Sequence, residues 1–459
     1  MKTLTGGASR SSLVKVMLAD TKRWGLAARL AMSLAEAGCE VTAIAPAPAP
    51  ALMKTRAVQQ VFGYSGLRPL QSLADAITAA EPDIIVPVCD RSVEHLHELY
   101  VQMKFQRSAG ERISALIERS LGPFSSHSIV SSRYELLTVA REEGVHVPRT
   151  SPAISSHDLD VFQTREPFPW VMKADGTWGG EGVRIVHSRE AADRCFAKFD
   201  RMYGFPRAIK RLIVNRDPFW IRPWWNHSKR AITIQSHIHG RPANCTAVCW
   251  KGRVLAAICV EVVSSEGSTG PANVVRVIEN AEMIFAAERI ASRLRLSGFF
   301  GLDFMIEEGS DAAYLIEMNP RTTPPCHLQL GKGRDLAGAL WSQLADQPLP
   351  DKPPVTNETL IAYFPYRPAG NGVTMHYFED IPGNEPDLVR ELLNPFPDRT
   401  FLLRLVHHLT RKPTAEITTL HLNLATEGFN PSTIPAKQDD SAEDLAMNSV
   451  MKEAGVRLT

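Results

Sequence analysis

Two carboxylates and an asparagine fall on what reads as one hairpin. Gly301–Glu307 (GLDFMIE) and Tyr314–Arg321 (YLIEMNPR) flank the turn residues Glu308, Gly309, Ser310 and Asp311. Both runs are apolar, and the Gly-containing spacer between them is a turn signal. Antiparallel pairing about a turn centred near Ser310 sets Asp303 opposite Glu317. Side chains alternate along a strand, so Asn319 shares the face of Glu317. Carboxylates opposed at roughly 5 Å repel each other, and a cation between them removes the repulsion. Three hard oxygen ligands, with room for water and phosphate oxygens, suit Mg²⁺ better than Zn²⁺. Arg321 follows as a fixed positive fork for a carboxylate or a phosphate. Taken alone, the hairpin is also compatible with an amphipathic ribbon carrying a surface charge pair.

A second segment has complementary chemistry. Pro169–Lys173 (PWVMK) is a short apolar strand ending on a lysine, and Val183–Val186 is the next strand. The loop between them carries Gly176, Gly179, Gly180 and Gly182. Glycines at that density free the backbone to curl and aim its amides at an anion. Lys173 places a point charge on the same phosphates. No GxxxxGK[ST] or GxGxxG pattern occurs, and no helix opens directly after the glycines. Alone it is weak evidence, and a flexible turn reads at least as well; paired with a carboxylate hairpin that wants magnesium, it becomes half of a nucleotide site.

The elements before these segments alternate. Leu13–Leu18 reads as a strand, Trp24–Ala37 as a helix ended by Gly38, and Val41–Ala45 as a strand. Ala45–Pro50 is an extended Ala-Pro run. Leu73–Ala80 is helical, Asp83–Val88 a strand and Val93–Met103 a helix. Such alternation predicts a parallel sheet with right-handed crossovers. Asp20 and Asp90 fall just past strand ends, where open α/β sheets bind ligands. Contact with a second substrate and capping of their own loops are both open to them. His95 and His97 are two apart on a helix and face different directions, as solvent-facing or packed side chains.

Together the two chemical segments resemble the ATP-grasp superfamily, and the wording EMNPR is close to that of carbamoyl phosphate synthetase-like members. The resemblance runs from about Ser131 to Ala345. It implies an α/β (α+β) ATP-grasp fold: a parallel-sheet domain over 13–128, a small lobe over 129–230 and a large lobe with the metal site over 231–345. A Pro-rich linker and small appendage (346–411) and a polar, disordered tail (412–459) complete the expected organisation. By resemblance, Arg133, Lys173, Gly179, Gly180, Gly182 and Gln235 hold the nucleotide. Asp303, Glu317 and Asn319 hold magnesium. Arg321, with Lys173, is catalytic and meets the acyl-phosphate end of the substrate. Glu266–Pro271 resembles the family's larger mobile loop. One departure stands out: the strand Ala231–Gly240 is similar to the nucleotide-domain hinge, yet carries Gln235, Ser236 and His237 where members usually have acidic residues. The aromatic run Phe219–Trp225 before it either walls the adenine pocket, docks a partner or packs on the small lobe.

The implied function is an ATP-dependent ligase. It would activate a carboxylate as an acyl phosphate and join it to an amine or similar nucleophile, with ATP and Mg²⁺ (Mn²⁺ as substitute) as cofactors. A small-molecule kinase and a non-catalytic nucleotide-binding regulatory module are the alternatives. The partners expected are a small-molecule carboxylate and an amine, with a homodimer as the assembly. Net charge of +1 leaves no basic field to attract nucleic acid. No run of about 18 apolar residues could span a bilayer, so no membrane partner is expected. Met1–Ser12 lacks an apolar signal core, and seven irregularly spaced cysteines form no disulfide framework, so a reducing cytoplasm is the expected compartment. His237, His239, Cys245 and Cys249 are the one cluster suggestive of zinc, but they meet no zinc-finger spacing, and strand residues with buried thiols are the simpler reading.

Overall fold

The computed structural model describes residues 13–106, 109–174, 182–200, 231–265, 270–366 and 376–393. Its first elements are β1 (Val14–Ala19), α1 (Gly25–Ala37), β2 (Cys39–Pro46), α2 (Pro50–Lys54), β3 (Gln60–Tyr64), α3 (Pro69–Ala80), β4 (Ile84–Pro87), α4 (Asp90–Met103) and α5 (Ala109–Leu121). The four strands are parallel, in the order β3-β2-β1-β4. The largely apolar, buried sequences of β1, β2 and β4 suit strands covered on both faces, whereas β3 is a half-exposed edge. α1 stops at Gly38, whose φ of 106° is a left-handed cap. Strand order reverses between β1 and β4, so the loops after them meet at one crevice. Thr21 Oγ1 and Cys89 Sγ are in contact across it at 3.1 Å. The short edge strand β3 lacks a continuous apolar run and sequence reading passes over it; it also passes over α5, although that helix is plainly amphipathic.

α6 (His127–Ser131) and α7 (Arg133–Glu142) lead into a small antiparallel sheet. It comprises β5 (Thr150–Pro152), β6 (Trp170–Ala174), β7 (Val183–Val186) and β8 (Ile232–Ser236), in the order β5-β8-β6-β7. α8 (Ser156–Gln163) and α9 (Arg189–Asp200) cover it, burying Phe162 and Trp170 edge to face.

The large sheet contains β9 (Gly240–Trp250), β10 (Arg253–Ser265), β11 (Ala272–Ile278), β12 (Gly298–Glu307) and β13 (Ala313–Asn319). α10 (Ala281–Leu294) and α7 bury one face of it through Met283, Ile290, Leu136, Leu302, Phe304 and Leu315. α11 (Leu336–Ala345) and α1 share a second core with the other side of the sheet, through Leu336, Leu340, Val248 and Ile258. β14 (Leu360–Ala362) and β15 (Phe378–Glu379), from the segment expected as an appendage, extend this same sheet beyond β11. Just after β15, the Asp380 carboxylate takes Arg29 of α1 and lies 2.6 Å from His327 Nε2. α12 (Pro386–Leu393) packs on α2. Among the described residues no helix is long and apolar enough to cross a membrane.

Candidate active site

β12 and β13 pair with Gly301 opposite Asn319 and Asp303 opposite Glu317. That is the register a turn centred near Ser310 dictates. Beyond Asp303 the register slips, and Phe304 pairs with Leu315. Ile316 is therefore the extra residue of a β-bulge, a device that recurs beside active sites because it re-aims groups. Here it turns the Ile316 carbonyl toward Lys173, whose buried ammonium donates to it at 3.2 Å. Two sheets are thereby tied together at the carboxylate pair.

The carboxylates have distinct partners. Arg133, the first residue of α7, donates from Nη2 to Glu317 Oε1 at 2.9 Å. Asp303 accepts from two amides, Asn244 Nδ2 at 2.6 Å and Asn319 Nδ2 at 2.8 Å. Burial and the facing Glu317 raise the Asp303 carboxyl above the usual aspartate range, despite the two amides. Burial also pushes Glu317 up, but Arg133, Lys173 and Arg321 more than offset it and hold that carboxyl below its usual range. The result is a carboxylate pair whose acceptors outnumber its hydrogen-bond donors, ringed by three cations.

Arg321 is clamped. Its Nε donates to Asp90 Oδ1 at 2.9 Å, Nη1 to the Thr322 carbonyl at 3.0 Å and Nη2 to Asn319 Oδ1 at 3.0 Å. The Trp24 ring lies over its guanidinium at 5.7 Å. Asp90 opens α4 just after β4, and Trp24 caps α1 just after β1, so the crevice of the first sheet opens onto the carboxylate hairpin. Asp20, in contrast, is fully buried and accepts from the backbone N–H groups of Lys22 and Trp24 at 2.7 and 2.9 Å. It caps its loop, and burial raises its carboxyl to about 6.

The donor set fits a divalent cation held by oxygen. Asp303 and Glu317 are in register, half-buried and mutually repulsive, and Asn319 has a second lone pair on its amide oxygen. Among the described residues no trio of His, Cys, Asp and Glu is placed to hold a metal. The Asn319 amide oxygen, on the same strand face as Glu317, is a further oxygen beside the pair that could serve such an ion. His239 is exposed beside Glu308, at 2.8 Å, while Cys245 and Cys249 lie in the core, and among the described residues these do not form a metal-holding group.

Residues 130–325 match the family model described as the ATP-grasp domain. The chain carries an ATP-grasp domain. Over 190 residues it is 27% identical to human mitochondrial pyruvate carboxylase, a match covering 40% of this chain and 15% of the carboxylase. N5-carboxyaminoimidazole synthetase from Staphylococcus aureus, solved with ADP, aligns over 74% of this chain and 79% of its own at 14% identity and a TM-score of 0.51. The biotin carboxylase domain of 2-oxoglutarate carboxylase from Hydrogenobacter thermophilus, solved with MgADP, ADP and bicarbonate, aligns over 74% and 71% at 14% identity and a TM-score of 0.52. These two likenesses are of fold.

Within the ATP-grasp domain and the sheet before it, Arg133, Lys173, Asp303, Glu317, Asn319 and Arg321 converge through the contacts above. Gln235 does not join them; it is buried on β8 and donates to Thr150 Oγ1 at 3.2 Å within the small sheet. Gly182 closes the β6–β7 connection, its carbonyl accepting from Ala174 N–H at 2.9 Å. Gly179, Gly180, the run 219–225, most of the loop 266–271 and the tail 412–459 lie outside the described residues. Sequence reading misses Asn244 altogether, names Asp90 as a candidate but misses its bond to Arg321, and misses Trp24 as a partner of Arg321. Their pairings span 59, 231 and 297 residues, and only the folded sheets bring them together.

Proposed function

We propose that this chain is an ATP-dependent ligase that activates a carboxylate as an acyl phosphate and joins it to an amine. The observation that carries the reading is the Asp303–Glu317 pair set among Arg133, Lys173 and Arg321. Such a cluster suits one anionic, metal-bearing reactant beside a second anion. The ADP, magnesium and bicarbonate bound by the similar synthetase and carboxylase domain are of these classes.

Asp303, Glu317 and Asn319 would hold Mg²⁺. When bound, the ion supplies positive charge to the phosphates in transfer. Lys173 and Arg133 add fixed charge on either side of Glu317, where the phosphates of ATP would lie. Arg321 grips the carboxylate as one of its oxygens attacks the γ-phosphorus and ADP leaves. The amine then attacks the acyl carbon, phosphate departs and the amine loses a proton. No side chain acts as a nucleophile; the protein positions groups and stabilises charge.

An ADP-release screen of carboxylate and amine pairs tests this. ADP produced only when both members of a pair are present supports ligation. ADP accompanied by a stable phosphorylated small molecule assigns a kinase, and nucleotide binding without turnover assigns a regulatory module.

A further inference from the structure

β9 runs beside β12 and is almost wholly apolar from Ala243 to Cys249, apart from Asn244 and Thr246. These two lie two residues apart and so share a face. Asn244 is in register with Asp303, and Thr246 with Gly301. Thr246 is fully buried. The missing side chain at Gly301 makes room there: a Cβ at that position would lie 2.5 Å from Thr323 Cγ2. Through that gap the Thr323 hydroxyl meets the Thr246 hydroxyl.

The directions of these hydrogen bonds follow from the number of protons. Thr246 Oγ1 gives its single proton to Asn244 Oδ1 at 2.8 Å. In the Thr246–Thr323 contact Thr323 must then be the donor. With its oxygen already engaged, the Asn244 amide turns its NH₂ end toward Asp303, which accepts at 2.6 Å. The chain Thr323 to Thr246 to Asn244 to Asp303 thus runs one way. It fixes one Asp303 oxygen, while Asn319 fixes the other. A carboxylate has about four acceptor sites, so those remaining are aimed rather than free to rotate.

We propose that Asn244 is a positioning residue for Asp303 as a metal ligand, and that Thr246 sets its orientation. This rests on the metal reading above and adds that affinity for the ion is tuned from β9. Residues that orient a metal ligand through a hydrogen bond typically change metal affinity about 10- to 100-fold when lost.

The experiment titrates Mn²⁺ into the full-length protein with ADP, followed by electron paramagnetic resonance, and measures ADP binding in chelator by calorimetry. Thr246→Val keeps the shape and removes the hydroxyl. Asn244→Leu keeps the volume and removes the amide. Both are expected to weaken Mn²⁺ retention with ADP by about 10- to 100-fold, with metal-free ADP affinity unchanged. Thr246→Ser, which keeps the hydroxyl, should restore metal affinity. Wild-type Mn²⁺ affinity in Thr246→Val and Asn244→Leu overturns the inference, as does an equal loss of metal-free ADP binding. If the wild-type protein itself binds ADP but retains no Mn²⁺, the metal reading falls and takes this role with it.

Discussion

Arg321 of the ATP-grasp domain is held at 2.9 Å by Asp90 of the first parallel sheet. The two residues are 231 positions apart in the chain, and their bond joins the first residue of α4 to the end of the carboxylate hairpin. A guanidinium has five N–H donors, and three are committed here to Asp90, Thr322 and Asn319. The two that remain are enough for one carboxylate. Arg321→Lys keeps the charge but cannot make this set of bonds. It should lower kcat/KM for the carboxylate by about 10- to 100-fold, the worth of a lost charge-assisted hydrogen bond. Asp90→Asn should raise the carboxylate KM more than it lowers kcat. Steady-state kinetics with a working substrate pair measures both.

Glu317→Gln keeps the side chain's shape and removes its charge. The bond from Arg133 survives at the amide oxygen, so the fold should hold. Without that charge the cation loses its principal partner besides Asp303. ATP turnover should fall by at least about 100-fold, in line with the several kcal/mol a metal supplies. Near-normal turnover would remove the metal assignment.

Lys173→Met replaces a buried ammonium with an apolar chain of similar length. It loses the bond to the bulged Ile316 carbonyl and the charge beside Glu317. Calorimetry should register weaker ATP binding by about 10-fold or more, with the thermal transition of a folded protein retained. Unchanged ATP affinity counts against the phosphate role.

His97 stacks on His127 with ring centroids 3.5 Å apart. Both are buried or nearly so, and both Nδ1 atoms lack a partner among the described residues. Burial lowers His97 from 6.5 to about 3, with His127 adding to the effect. A histidine depressed on folding leaves stability intact above its unfolded value, here pH 6.5, and erodes it as pH falls toward the folded value, because the unfolded chain binds the proton first. The loss should reach about 2 kcal/mol near pH 5. His97→Leu should flatten denaturant-measured stability between pH 6.5 and 5. An unchanged slope would show that acid sensitivity arises elsewhere.

The hairpin was legible in the sequence because its pairing is local. A short Gly-containing turn fixes which residues face one another, and alternation then gives Asp303, Glu317 and Asn319. The bulge at Ile316 was not legible, since a one-residue slip leaves no compositional trace, yet it is what brings Lys173 to the hairpin. The parallel sheet followed from alternating apolar runs, whereas the edge strand β3, only half-buried, lacks such a run. Long-range partners stayed hidden for a different reason. Asn244 and Thr246 look like ordinary polar interruptions of a strand until β9 is laid against β12. Asp90 was open to two roles, and only the position of Arg321 separates it from Asp20, which caps its own loop.

The central claim is that a carboxylate is activated by phosphate transfer before an amine attacks it. Hydroxylamine intercepts an activated acyl group as a hydroxamate. With ATP, Mg²⁺ and the carboxylate that supports ADP release, the account predicts hydroxamate in step with ADP, and with the true amine it predicts ADP and inorganic phosphate in equal amounts. ADP formed without hydroxamate, or a phosphorylated small molecule accumulating one-for-one with ADP, would contradict it.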